Sequence, residues 1–167
     1  MSTASSAAPV ALRTAIADDR ESIIDLIYAL NVFEADISGD RRRDRSAAAA
    51  YYDELLQRLA RRNGRLVLAE ADGRAVGAMG FVIEQDAAYV VEDVRRHGVV
   101  TDLVVHEQWR GRGIGSLLLK EAERLAREAG LKRLTIGALA GNENAERVYR
   151  AFGFEPYVSI LVKALEP

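Results

Sequence analysis

Trp109-Arg110-Gly111-Arg112-Gly113-Ile114-Gly115-Ser116 sets the architecture of this chain. An apolar run, Val99-Val100-Thr101-Asp102-Leu103-Val104-Val105, leads into it, and an amphipathic segment from Ile114 to Ala129 leads out. Strand, glycine-rich turn and helix together make a cradle for an anion. Glycines let the backbone turn tightly and approach a ligand with no Cβ in the way. The first unpaired N–H groups of the helix then point at the ligand, with the helix dipole behind them. Arg110 and Arg112 add positive charge. A diphosphate-bearing ligand is the natural occupant; glycines serving close packing alone are the competing reading. Spacing removes two familiar nucleotide motifs. A G-x-G-x-x-G pattern counted from Gly111 would need its third glycine at Ser116, and a P-loop needs a Gly-Lys pair that the chain lacks.

The 167 residues are enough for one domain with a real core, expected over residues 10–167. Hydrophobic residues at 49% and charged residues at 29% are ordinary for a globular protein. A formal net charge of -2 argues against a dedicated nucleic-acid binder. With no cysteine there is neither a disulfide framework nor a thiol nucleophile. His97 and His106 offer no zinc spacing, so no metal is expected, and both read as turn or surface residues. No apolar run approaches membrane-spanning length, and Met1 to Pro9 is Ser/Ala-rich, without a signal-peptide pattern, and reads as frayed. A cytoplasmic location is the default expectation.

Outward from the cradle, Val10 to Ala15 reads as a first strand. Asp18 and Glu21 resemble a capping box, and Ile23, Ile24, Ile27 and Leu30 recur at helical spacing to about Asn31. Arg41-Arg42-Arg43-Asp44-Arg45 is a charge run, either solvated or able to touch phosphate or an acidic substrate. Ser46 to Arg62 reads as a second helix, capped by Ser46 and closed by Asn63-Gly64. Asp72-Gly73 signals a hairpin between Arg65–Ala71 and Arg74–Glu84. Gly77 and Gly80 suggest bulges or close approach. After the helix from Ile114 come a strand over Arg133–Leu139, a loop, a short helix ended by Gly153, and a closing strand over Tyr157–Leu165. The order is β-α-α-β-β-β-α-β-α-β. It predicts an α/β (α+β) fold: a mixed, mostly antiparallel central sheet with helices on both faces and a right-handed crossover through Ile114–Ala129.

Two blocks carry a resemblance. Arg110-x-x-Gly113-x-Gly115 fits the R/Q-x-x-G-x-G/A signature of the GCN5-related N-acetyltransferase (GNAT) superfamily. Asn142-Glu143-Asn144-Ala145, Tyr149 and Gly153-Phe154 match the N-x-N-A…Y…GF pattern of many members. The chain is similar to that superfamily in element order from about Leu12 to Leu165. It is similar residue by residue over Leu103–Ser116 and Asn142–Phe154.

The resemblance implies acetyl-coenzyme A as co-substrate. The backbone of Leu103, Val104 and Val105 would pair with its pantetheine arm like an added strand. The amides of Gly111, Arg112, Gly113, Ile114, Gly115 and Ser116, beside Arg110, would hold its pyrophosphate, and Asn142 would contact the arm. Tyr149 matches the family's general acid, and a phenol is protonated at neutral pH. Tyr149 also lies on an apolar helix stripe, where a packed tyrosine is the competing reading, and Asn142 and Asn144 are cap-forming types. The base departs from the pattern: the positions where relatives carry glutamate are here Gly137, Val99 and Thr101. Strand alternation should turn Asp102 away from Thr101 and Leu103, and Glu34, Asp36, Glu92 and Asp93 are left as candidates acting through water. The implied activity is acetyl transfer to a primary amine, small molecule or peptide, by direct attack in a ternary complex. The alternatives are transfer of a longer acyl chain and a non-catalytic acyl-coenzyme A sensor or interaction module on the same fold. Many relatives form homodimers, though no stretch of this sequence marks an interface.

Overall fold

A computed structural model describes residues 9–165. The segment read as frayed lies, except for Pro9, outside those residues. Strand β1 (Ala11–Thr14) is followed by a 3-10 turn and two helices, α1 (Arg20–Ser38) and α2 (Arg45–Arg61). Strands β2 (Arg65–Ala71) and β3 (Arg74–Gln85), the one-turn α3 (Glu92–Arg95) and strand β4 (Arg96–Val105) follow. Helix α4 (Ile114–Glu128), strand β5 (Leu134–Ile136) and helix α5 (Glu143–Phe152) complete the order. The sheet order is β1-β2-β3-β4-β5, antiparallel except for the parallel β4–β5 pair.

Central strands are buried on both sides, which is why alternation in β2 is only partial. Leu66 and Leu68 face Ile23, Ile24, Ile27 and Leu55 of α1 and α2. Val67 and Ala69 face Ile114, Leu118 and Ala122 of α4. The mixed sheet with helices on both faces is therefore the architecture observed.

Several boundaries differ from the sequence reading. Helix α1 runs on to Ser38, because nothing at Asn31 breaks it; Gly39, at φ +74°, does. Asp44, not Ser46, caps α2, its Oδ1 accepting the Ala47 N–H at 2.9 Å. The box before α1 is Ile16–Asp19, two residues earlier than the expected Asp18–Glu21, with Asp19 accepting the Ile16 N–H at 2.7 Å while Arg13 pairs with it. At the end of α2 the left-handed residue is Asn63, at φ +48°. Gly64 is needed for space instead, since a Cβ there would press on Leu59 and the Phe81 carbonyl. Asp72 and Gly73 both have positive φ, the geometry of a type I′ hairpin.

Two strand readings are corrected. Of Arg133–Leu139 only Leu134–Ile136 forms strand, because β4 leaves its neighbour beyond Val100. Tyr157–Leu165 forms no strand: nothing pairs with it, and its large apolar side chains are exposed. His97 is not a surface residue. It is buried on β4, with its Nδ1 3.1 Å from the Arg133 guanidinium and near Asp86. His106 caps the 3-10 turn Glu107–Trp109, accepting the Gln108 N–H.

Candidate active site

Parallel pairing between β4 and β5 covers Gly98, Val99 and Val100 opposite Leu134, Thr135 and Ile136, and then stops. On the other side of β4, Gly80 lies opposite Asp102 and Phe81 opposite Val100, so Thr101 has no partner. One surplus residue in one strand is a β-bulge, which bends the strand and changes which side chains face which way. Gly80 makes room for it, because a Cβ there would run into Thr101 Oγ1. The bulge inverts the alternation. Val100 and Leu103 pack on the α4 side, while Val99 and Val104 pack on the α1–α2 side.

The ladder then decides which backbone groups are free. The His106 N–H donates to the Val76 carbonyl at 2.8 Å, and Val105 lies opposite Gly77. In an antiparallel pair this makes Val105 and Leu103 non-hydrogen-bonded positions toward β3. Their N–H and C=O groups point the other way, into the splay. Val104 spends its groups on Ala78. Of the three residues expected to meet a pantetheine arm, two have backbone available. The Arg110 Nε donates to the Val105 carbonyl at 3.2 Å, leaving the Val105 N–H open.

At the end of β4 the cradle forms as its glycines require. Gly111 and Gly113 have φ of +73° and +79°, and Gly113 is the residue before α4. No protein atom lies within 4 Å of where either Cβ would stand. The open space and unpaired helix-start amides suit a pyrophosphate. Gly115 is helical, and a Cβ there would meet only Leu103 at 3.9 Å. The Arg110 guanidinium lies over Phe33 and that of Arg112 over Trp109, with 4.7 Å from the Arg112 guanidinium carbon to the ring centroid.

Splay, cradle and α5 enclose a cavity of about 1130 Å³. All the predicted cofactor residues line it except Arg112, which its stacking on Trp109 turns aside. Asn142 lines it too, but its Oδ1 caps α5 by accepting the Ala145 N–H at 3.1 Å, so only its amide nitrogen is left for a ligand. Tyr149 faces the cavity from α5, its ring edge-on to Phe154 at 6.1 Å. Its hydroxyl makes no hydrogen bond among the described residues. Burial, and then the charge of Glu34, push its pKa up to about 12.

The residue that alternation hid is Asp102. The bulge puts its carboxylate in the cavity on the α1–α2 side, where the Tyr51 hydroxyl donates to it at 2.9 Å. Burial raises the Asp102 pKa, and the Tyr51 hydrogen bond opposes that rise. Burial and the Asp102 charge raise Tyr51 in turn. Gly80 in the sequence was the one trace of this arrangement. Of the other acidic candidates, Glu34 lines the cavity and pairs with Arg41 at 2.9 Å. Asp36 pairs with Arg43, while Glu92 and Asp93 pair with Arg95 and Lys132, away from the cavity. The arginine run is an ion-paired seam at the α1–α2 turn, with Arg41 and Arg42 at the cavity mouth.

The sequence model of the acetyltransferase (GNAT) family matches residues 30–154, which hold both the cradle and the Tyr149 block. This chain belongs to that family. Among curated proteins it is 26% identical over 107 residues to a provisionally named ribosomal protein bS18-alanine N-acetyltransferase of Bacillus subtilis. The match covers 64% of this chain and spans 62% of that relative's length. Among solved structures it resembles a GCN5-related N-acetyltransferase from Ralstonia eutropha, with a TM-score of 0.72 and 24% identity over 93% of this chain and 99% of that one. It also resembles the aminoglycoside N-acetyltransferase AAC(6')-Iy in complex with CoA, with a TM-score of 0.71 and 19% identity over 96% and 97% of the two chains. At these identities the structural likeness concerns the fold.

Proposed function

We propose that this GNAT chain moves the acetyl group of acetyl-coenzyme A to a primary amine by direct attack in a ternary complex. One observation carries the reading. A strand with unpaired backbone groups runs straight into a glycine cradle, and a half-buried carboxylate and a phenol with no hydrogen-bond partner among the described residues share the cavity beside it. When bound, acetyl-coenzyme A supplies an acetyl group activated as a thioester. The amides of Gly111–Ser116 hold the pyrophosphate, and the backbone of Leu103 pairs with the pantetheine arm. The Val105 N–H polarises the thioester carbonyl. Asp102, its pKa raised, takes a proton from the amine, and Tyr149 gives one to the departing thiolate. No cysteine exists to carry the acetyl group, so a thiol-borne acyl-enzyme is ruled out.

The relatives suggest acceptors from two chemistries, an alanine of a ribosomal protein and an aminoglycoside. The test is release of free coenzyme A from acetyl-coenzyme A in the presence of amino acids, N-terminal peptides, polyamines and aminoglycosides. Amine-dependent release is expected. Tight acetyl-coenzyme A binding with no release to any amine would favour a sensor, and faster release from longer acyl thioesters would revise the donor.

A further inference from the structure

Asp102 enters the cavity as a carboxylate without a counter-ion. Among the described residues it forms no ion pair. The charges that act on it from a distance, Arg58 and Glu34, are committed elsewhere. Arg58 pairs with Glu84 at 3.1 Å, and Glu34 with Arg41 at 2.9 Å. Thr101 Oγ1 is buried nearby and completes no hydrogen bond. What grips the carboxylate is Tyr51. Its hydroxyl lies 3.0 Å from Oδ1 and 2.9 Å from Oδ2. A hydroxyl equidistant from both oxygens sits on the axis of the carboxylate. It fixes where the side chain points and leaves the outer lone pair of each oxygen for another donor.

Helix α2 is built for this contact. Ala48, Tyr52, Leu55 and Leu59 face the core, while Ala47 and Tyr51 line the cavity. Leu55 seats the helix over the bulge: a Cβ on Gly80 would lie 3.5 Å from both Leu55 and Asp102 Oδ2. Tyr51 also keeps its own proton, because burial and the Asp102 charge both raise its pKa. A neutral donor steadies a carboxylate without quenching it. An arginine in its place would hold the carboxyl well below the usual range and leave a poor base. We infer that Tyr51 is a positioning residue for acetyl transfer, its hydroxyl holding the Asp102 carboxylate ionised and aimed into the cavity. Water can lend a donor while the cavity is open. Once cofactor and acceptor fill it, Tyr51 is the donor that remains, and a hydrogen bond counts for more where water is excluded. The role in catalysis rests on the acetyl-transfer reading; the grip on the carboxylate does not.

Tyr51→Phe removes the hydroxyl and keeps the ring. Burial of Asp102 is then less opposed, so the acid limb of kcat/KM should move up by roughly one pH unit. Above the limb kcat should fall about tenfold, with KM for acetyl-coenzyme A within about twofold of the parent. Tyr51→Leu, which also lacks the donor, should shift the limb the same way. Tyr52→Phe, whose ring lies in the core, should leave it in place. In an Asp102→Asn background, Tyr51→Phe should cost no further turnover, since Tyr51 acts through the carboxylate. A carboxyl-carbon NMR titration of Asp102, assigned with Asp102→Asn, should show the same upward shift in the free protein without any acceptor. An Asp102 titration unmoved in both Tyr51 variants overturns the inference. So does a loss of turnover from Tyr51→Phe that is equal with and without the Asp102 carboxylate. Failure of every amine to release coenzyme A would instead overturn the acetyl-transfer reading and the catalytic role with it, while the titration would still decide the grip.

Discussion

In Tyr149→Phe the ring keeps its packing but loses its proton. Turnover should fall on the order of 100-fold or more where protonation limits the rate, while the melting temperature and acetyl-coenzyme A affinity stay near those of the parent. A turnover within twofold, with chemistry shown to be limiting, would remove the acid assignment. Asp102→Asn should move activity and stability in opposite directions. The native state keeps a proton on Asp102 above the ordinary aspartate pKa of about 3.9. Native protein therefore binds more protons than unfolded chain between those two values, and stability falls as pH rises through that window. The asparagine variant should melt higher than the parent at pH 8 and at about the same temperature near pH 3. It should also lose the rising acid limb of kcat/KM. Tyr149 was legible because a motif surrounds it on a helix of regular period. Asp102 was not, because side chains alternate only along an unbroken strand, and Thr101 breaks this one without leaving any sign of its own in an apolar run.

At the scale of elements, the cradle glycines are not equivalent. Gly113→Ala places a Cβ on a left-handed residue and should cost about 1–2 kcal/mol of stability. Gly115→Ala sits inside α4 with ordinary space around it, and should leave stability unchanged or raise it by roughly 0.5–1 kcal/mol. Acetyl-coenzyme A affinity should fall in both, and calorimetry beside thermal melts distinguishes strain from obstruction. Unchanged affinity in both would remove the pyrophosphate assignment. The cradle could be read in advance because its spacing, its charge and the helix after it agree. The short β5 could not. Arg133–Leu139 has strand composition throughout, and its pairing ends where a different strand, β4, bends away. Tyr157–Leu165 failed as a strand for a related reason, since a strand needs an edge that no local pattern supplies.

Across the whole molecule, acetyl-coenzyme A should stabilise the native state by roughly 2.7 kcal/mol at a hundred times its dissociation constant. NADH and ATP, which lack pantetheine, should do much less. Equal shifts with NADH would point to a dinucleotide site. The plan of a mixed sheet with helices on both faces was readable from element order, because hairpins and a crossover allow few other arrangements. The splay between β4 and β5 gives this plan a mechanical consequence. Three register pairs are the whole ladder between β5 and the rest of the sheet, so the molecule is built as two leaves on a narrow spine. The leaf formed by β5 and α5 should open more readily than β1–β3, exchanging its amide hydrogens faster in the free protein. A ligand strand lying along Leu103 and Val105 would bind the leaves together. Deuterium uptake over residues 134–152 should then slow on addition of acetyl-coenzyme A, while β1–β3 keep their rates.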